Sequence, residues 1–501
     1  MKTKVKIKIS GIGVTFVLSA VAKLLGALYR IPLIRIIGAK AMGDFSLAFP
    51  IYAFAVTLVG SGITVSVARL MLSGEYSHEG ILKKAGLIFG ALSVLVASLM
   101  CMFSNFFFFL TTAEEISPVL IIMMVSLPFS TLSAVLRGYF QGKNQTVITG
   151  VSYCVEPIIK TVIGLSLAPF LSLYGVALAV SVSEVCTTLF LFVVYFSKEK
   201  QNEGKIPSTK VLLAPILKTA VGSAILPLSQ FFDGVIVLRI LSATIGGESG
   251  RELLGILSSV NSLLSLPSLA VSALLSSALC RFCDDKKRGK ALRGYLFGIY
   301  LLTSVFSASA FVFAPTIVKT LYPTFSFYQT QRAISLIKIL APYPLFFALK
   351  SVFGVYLQGV GKFFLPSLSI AVGVVTKMII EIMLTSSLSI YASALGILLA
   401  NGVSLLINAV AVVRSKTFLL KNNKLLTIVL SPLIFVVVAN AFNYYSRSIF
   451  VSIVAFSIAL LSIGLYLYAF VFLPAKNDEM GKDGKDKTNE RYITLKSSKS
   501  G

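Results

Sequence analysis

The 501-residue chain has no tryptophan, one histidine, five cysteines and 20 carboxylates against 45 lysines and arginines. Each scarcity removes a class of function. The lone histidine, His78, stands among Ser, Glu and Gly. That context reads as a solvated loop position and leaves no histidine pair for a metal or a nucleophile. The cysteines form no disulfide framework. Cys280 and Cys283 make a single CxxC, without the second pair or nearby histidine that would complete the four ligands zinc prefers. A membrane-bound polymerase or ligase should show a large outer loop or a cluster of catalytic acids or histidines near one face. The outer loops are short and no such cluster is found, so it stands only as the second alternative. Without tryptophan, the interfacial belts fall to Tyr and to Phe, as in the run 106–109.

What the chain does have is apolar sequence. It is 56% hydrophobic and 13% charged, with a mean hydropathy of +0.89. Apolar segments of about 20 residues recur along it, the length that crosses a bilayer as a helix. The net charge of +25 follows topology and not nucleic acid. Loops that alternate onto one side carry roughly 30 Lys/Arg and the opposite loops roughly 5, which predicts both termini in the cytoplasm. The start, MKTKVKIKIS, has the basic character of a signal peptide, but the apolar run after it is too long and lacks a small-residue cleavage site, so it reads as the first helix.

The pattern predicts an all-α polytopic membrane protein of about 14 spans. VLRGYFQG at 135–142 recurs as VFGVYLQG at 352–359, and at the same offset Lys160 falls on Lys377, LYGVALA at 173–179 on IYASALG at 390–396, and Glu184 on Asn401. An even number of helices separates the copies, so both halves run the same way through the membrane. The expected organisation is a six-helix lobe over 1–205, a second over 206–420, two additional transmembrane helices over 421–474 and a disordered cytoplasmic tail over 475–501. Prolines 128, 267, 342 and 344 interrupt spans four, eight and ten, and the last two predict a hinge.

Charges inside the spans are the candidate functional residues, because a charge at bilayer depth is costly unless it meets a partner or a wet cavity. The cations are Lys23, Arg30, Arg35, Arg69, Arg137, Lys160, Arg239, Lys338, Lys350 and Lys377; the acids are Asp44, Glu156, Glu184, Asp233 and Glu381. Arg69, Arg137 and Arg239 lie near span ends and read as snorkelling to the interface. Glu156–Lys160 and Lys377–Glu381 are spaced i, i+4 and read either as structural pairs or as cavity residues. Lys23 and Arg30 are seven apart on one helix face. Pro32 predicts a bend after them, Arg35 follows it, and Asp44 opens the next helix as their local acid. A surplus of buried cations suits an anion, phosphate above all. The expected substrate-facing set is Lys23, Arg30, Asp44, Arg35, Lys160 and Glu184. Asp233, Lys377 and Glu381 are the expected ion or ion-pair site. No catalytic residue, metal or cofactor is expected.

The segment KLLGALYRIPLIRIIGAKAMGDFSLAFPIY resembles the opening of the stage V sporulation protein B and polysaccharide-biosynthesis flippases. These are relatives of the MurJ lipid II flippases in the superfamily that holds the MATE drug exporters. The resemblance implies two lobes in a V-shaped, MATE-like arrangement around a cavity with alternating access, in a bacterial cell membrane. It implies an undecaprenyl-diphosphate-linked sugar as cargo, membrane lipids as surroundings and a cell-wall polymerase as partner, with a monomer and no nucleic acid expected. Lys23, Arg30 (with a one-residue shift) and Asp44 match basic and acidic cavity positions of the MurJ relatives. Their basic–acidic pair on helix eight is replaced here by Ser262 and Ser265, which favours the sporulation-type branch over lipid II itself. Some relatives bind sodium through acids on helices seven and eleven. Asp233 matches the first, but helix eleven presents Lys377, so an Asp233–Lys377 contact is expected there instead of sodium. A MATE-like drug/cation antiporter, with Glu184 as its embedded acid, shares the architecture and stays open as an alternative.

Overall fold

The computed structural model describes residues 24–111, 113–197, 205–283 and 288–414, together with 18, 21 and 22. Lys23, the expected spans over 421–474 and the tail fall outside these. The described residues are helical, with one isolated bridge from Tyr76 to Lys205. In chain order the helices are α1 (Arg30–Gly60), α2 (Ile63–Leu72), α3 (His78–Met102), α4 (Ser104–Thr111), α5 (Ile116–Met124), α6 (Leu127–Gly142), α7 (Thr146–Phe196), α8 (Thr209–Ile245), α9 (Gly247–Leu264), α10 (Leu266–Cys283), α11 (Arg288–Val312), α12 (Ala314–Leu321), α13 (Phe327–Leu340), α14 (Tyr343–Gly359), α15 (Phe364–Leu388) and α16 (Tyr391–Arg414).

Among the described residues, nine helical stretches are long and apolar enough to cross a membrane, or ten if the bent pair α9–α10 is one span. Two of the nine, at 49 and 51 residues, are about twice the length a bilayer needs. The first breaks at Gly38 and again at Ser61–Gly62, and the second breaks at Ser172. Counting one crossing on each side of Gly38 and of Ser172, and α9–α10 as one span, gives twelve by length and composition among the described residues.

Proline sets where the spans break. Pro128, Pro315 and Pro344 each stand in the first turn of a helix that restarts after an interruption, and Pro267 stands second in α10. A ring without an N–H is tolerated there and ends the hydrogen-bond ladder before it. Pro32 behaves differently from the expected bend. Tyr29 keeps right-handed helical angles beside it, and the chain turns six residues later, at Gly38 (φ 82°, ψ 169°). Gly246, between α8 and α9, has nearly the same angles (φ 93°, ψ 150°). Only glycine adopts this region at low cost, so the two corners are fixed by sequence.

The internal repeat is visible in the backbone. Asn144 and Gly361 both have positive φ just after α6 and α14, and Ser172 and Ser389 both have positive φ (47° and 53°) at the ends of spans five and eleven. These pairs lie at the offset of the sequence repeat. One apolar cluster around Phe89 and Phe140 belongs to the first half, joined by Leu212 and Ile216 of α8, and one around Phe282 and Tyr356 belongs to the second. A third cluster draws on both halves, joining Leu33, Met42 and Ala48 to Leu253, Ile256 and Val260.

That shared core marks the end of the bundle where the halves meet. A Cβ on Gly43 would fall 1.9 Å from the carbonyl oxygen of Arg251, and one on Gly255 would fall 1.8 Å from that of Ala39. The helices that leave the Gly38 and Gly246 corners thus cross backbone to backbone, which no larger residue permits. Lys40 pairs with Glu248 beside the crossing.

Candidate functional site

Below this seam lies a cavity of about 690 Å³. Its lining includes Arg30, Ser46, Phe49 and Pro50 from α1, Gln230 and Asp233 from α8, Ser258 and Asn261 from α9, Lys350 from α14, Lys377 and Glu381 from α15, and Asn401 and Ser404 from α16. One wall comes from the first half and the rest from the second. The charged members are three cations and two acids, and their pairing is uneven.

Lys377 takes both acids. Its Nζ lies 2.7 Å from Asp233 Oδ2 and 3.5 Å from Glu381 Oε1, so the expected Asp233–Lys377 contact is present. The outer oxygens, Asp233 Oδ1 and Glu381 Oε2, are buried without a hydrogen-bond partner. A bound cation at this place would have to displace the ammonium already seated between the carboxylates. The residues therefore do not fit a sodium ion, and among the described residues no group of three His, Cys, Asp or Glu could hold a metal.

Arg30 and Lys350 are held by neutral groups. Arg30 Nη1 donates to Ser262 Oγ at 3.0 Å, and its guanidinium lies 6.0 and 5.7 Å from the ring centres of Phe45 and Phe49. Lys350 Nζ donates to Asn401 Oδ1 at 2.6 Å. Among the described residues neither forms a salt bridge. The wall therefore offers two cations whose charge no carboxylate cancels. Such groups gain most from an anion with several acceptor oxygens.

The other expected site residues lie elsewhere. Asp44 is buried and pairs with Arg251, whose Nη1 is 3.7 Å from its Oδ2; it belongs to the seam and does not line the cavity with Arg30. Arg35 is exposed and donates to the carbonyls of Leu321 and Thr320 at 2.6 and 2.8 Å, so it caps α12 and is not a cavity residue. Lys160 and Glu184 sit inside the first half, off the cavity lining. There Glu156 pairs with Arg137 at 3.4 Å and not with Lys160. Arg137 is 8% exposed, donates to Ser152 Oγ at 3.0 Å and stacks 4.4 Å from the Tyr153 ring centre, so it does not snorkel. Arg239, also read as snorkelling, donates to carbonyls of α4.

Sequence reasoning missed Arg251 entirely and left Lys350 among cations without a role. The signal for Lys350 was Asn401, which heads a polar stripe on α16. The buried amide is what receives its ammonium.

A two-half, multi-pass membrane bundle around a partly cationic cavity defines a transporter-like class. The chain belongs to the polysaccharide biosynthesis protein family, whose model matches residues 9–280. It is 26% identical over 416 residues to stage V sporulation protein B of Bacillus subtilis, covering 75% of this chain and 78% of that one. Among solved structures, the fold is similar to the inward closed conformation of the lipid II flippase MurJ, with a TM-score of 0.71 at 15% identity over 91% of this chain and 98% of that one. It is also similar to a multidrug resistance MATE family transporter in an inward-facing conformation, with a TM-score of 0.62 at 16% identity over 79% and 95% of the two chains.

Proposed function

We propose that the protein moves an undecaprenyl-diphosphate-linked sugar, a precursor of a cell-envelope or spore polysaccharide, from the inner to the outer leaflet by alternating access. The observation that carries this reading is the pair Arg30 and Lys350, two cations in the lining of one cavity that form no salt bridge among the described residues. A diphosphate supplies the missing charge and enough oxygens for a guanidinium fork and an ammonium. Gln230, Ser258, Asn261 and Asn401 in the same lining suit sugar hydroxyls. Family membership supports the same chemistry, since the description shared by the family is polysaccharide biosynthesis.

In this reading no bond is made or broken. The cavity replaces part of the hydration of a polar head, and lobes over 1–205 and 206–420 rock to change its exposure. Lys23, seven residues before Arg30 in the sequence, is the further cation this reading adds. The seam of α1 and α9 is the outer end, and both termini are cytoplasmic. A polymerase or ligase would need a carboxylate free to act as acid or base; both of the cavity's carboxylates are held by Lys377.

Native mass spectrometry of the purified protein with undecaprenyl-diphosphate-linked sugars tests this, beside Lys23→Ala and Arg30→Ala. Binding in preference to other anionic lipids, weakened roughly tenfold by Arg30→Ala, is expected. No preference for diphosphate lipids over phosphatidylglycerol rejects the reading.

A further inference from the structure

Two exposed arginines tie the halves together in the same way from opposite sides. Arg35, near the end of the first span, donates from Nε to Leu321 O at 2.6 Å and from Nη2 to Thr320 O at 2.8 Å. Arg239, near the end of α8, donates from Nε to Leu110 O at 2.7 Å and from Nη2 to Phe109 O. Each uses the same two nitrogens on two successive carbonyls. Each reaches from the first helix of one half to the end of the third span of the other. The recipients, α4 and α12, are both eight-residue helices that finish that span.

The chemistry is that of a reversible tie. The last carbonyls of a helix have no intrahelical donor and carry the negative end of its dipole, so a guanidinium fork satisfies two of them at once. Both arginines are exposed. Once released, the guanidinium and the carbonyls can rehydrate, and no buried charge is stranded. The seam's other arginine differs in this respect: Arg251 meets a carboxylate that is 1% exposed, and breaking that pair leaves Asp44 buried alone.

The forks are also joined to the cavity. α1 carries Arg30 in the lining and Arg35 at the fork, about 7.5 Å apart along the axis. α8 carries Asp233 in the lining and Arg239 at the fork, about 9 Å apart. A shift of either cavity wall therefore moves the fork on the same helix.

We propose that Arg35 and Arg239 are paired latches that hold the two halves shut at the seam end and release when the halves part there. The tie is between halves, so its loss changes the distance between them more than the fold of either. It does not depend on which cargo the cavity takes.

Spin–spin distance measurement on the full chain in lipid nanodiscs tests this. In a background with the five native cysteines replaced, one label pair (Glu114→Cys, Ala243→Cys) flanks the Arg239 fork and another (Ile36→Cys, Thr324→Cys) flanks the Arg35 fork. The parent gives one short distance across each. Arg35→Gln or Arg239→Gln raises the ratio of long to short distances roughly tenfold, one decade for a lost charge-assisted contact. The double variant raises it roughly a hundredfold, since the forks share no partner. Arg→Lys at both sites keeps the charge without the fork and restores part of the short population. Unchanged distances in the folded double variant, or a lower melting temperature without a change in distance, overturn the proposal and leave the arginines as ordinary helix caps. Should the double variant not fold, the single variants carry the same test.

Discussion

Two lysines look into one cavity and are held in opposite ways. Lys377, on α15, lies between Asp233 and Glu381. Lys350, on α14, rests on the amide oxygen of Asn401. The first is surrounded by more negative charge than it carries and the second by none. Proximity to the cavity therefore does not by itself make a cation a ligand; its counter-charge decides. Lys377 is committed to the protein, and Lys350 is available to an anion.

The largest effect that separates them is on stability. Lys377→Met leaves two buried carboxylates without their ammonium, which costs about 3–5 kcal/mol as for other buried pairs that lose one partner. Lys350→Met removes a cation held by a neutral amide and leaves Asn401 Oδ1 as the orphan, at about 1–3 kcal/mol. Thermal unfolding in detergent should rank the Lys377 variant well below the Lys350 variant. Lipid binding should rank them in reverse among folded protein, with Lys350→Met losing roughly tenfold for a diphosphate lipid. Equal stability losses would erase the distinction.

A smaller effect sharpens it. If the Lys377 ammonium stands where a coupling cation would sit, sodium has no purchase on the parent protein. Exchanging sodium for choline should leave its melting temperature unchanged. Lys377→Ser empties the space between the carboxylates, and sodium should then stabilise that variant by about 1.4 kcal/mol at tenfold over its dissociation constant. Sodium-dependent stabilisation of the parent would show that the lysine does not fill the site.

Much of this was legible in the sequence, and the reasons are local. Helices, span positions and the repeat follow from hydropathy and a constant offset, and the offset reappears as positive φ at Asn144/Gly361 and Ser172/Ser389. The Asp233–Lys377 contact was readable only through the family resemblance, which sets Asp233 and Lys377 where some relatives carry two acids, and a buried acid opposite a buried cation favours contact. Asp44 and Arg35 were misplaced for one reason. Pro32 predicts the corner, whereas the chain runs on to Gly38, which carries both residues past the cavity into the seam. Arg251 could not be found from periodicity, since it is charged, close to a span end, and paired only through the crossing of two glycines far apart in sequence. Arg137 was read from its position near a span end, but its partners Ser152 and Glu156 come from the next helix.

The smallest effect concerns Glu184, the acid on which an exchange of drugs for cations would depend. It is 7% exposed, and its Oε2 has no hydrogen-bond partner. Arg137, Glu156 and Lys160 are its charged neighbours inside the first half, and none of the four lines the cavity. In a flippase that binds its head group through Arg30 and Lys350, neutralising this carboxylate changes neither the cavity's charge nor its shape. Glu184→Gln should therefore bind diphosphate lipids within about twofold of the parent, inside the scatter expected for a distant, independent site. It should also leave stability nearly unchanged, because an amide replaces a buried carboxylate at similar volume without its desolvation cost. A collapse of transport with lipid binding intact would instead assign Glu184 a proton-linked step and move the protein toward the antiporter reading.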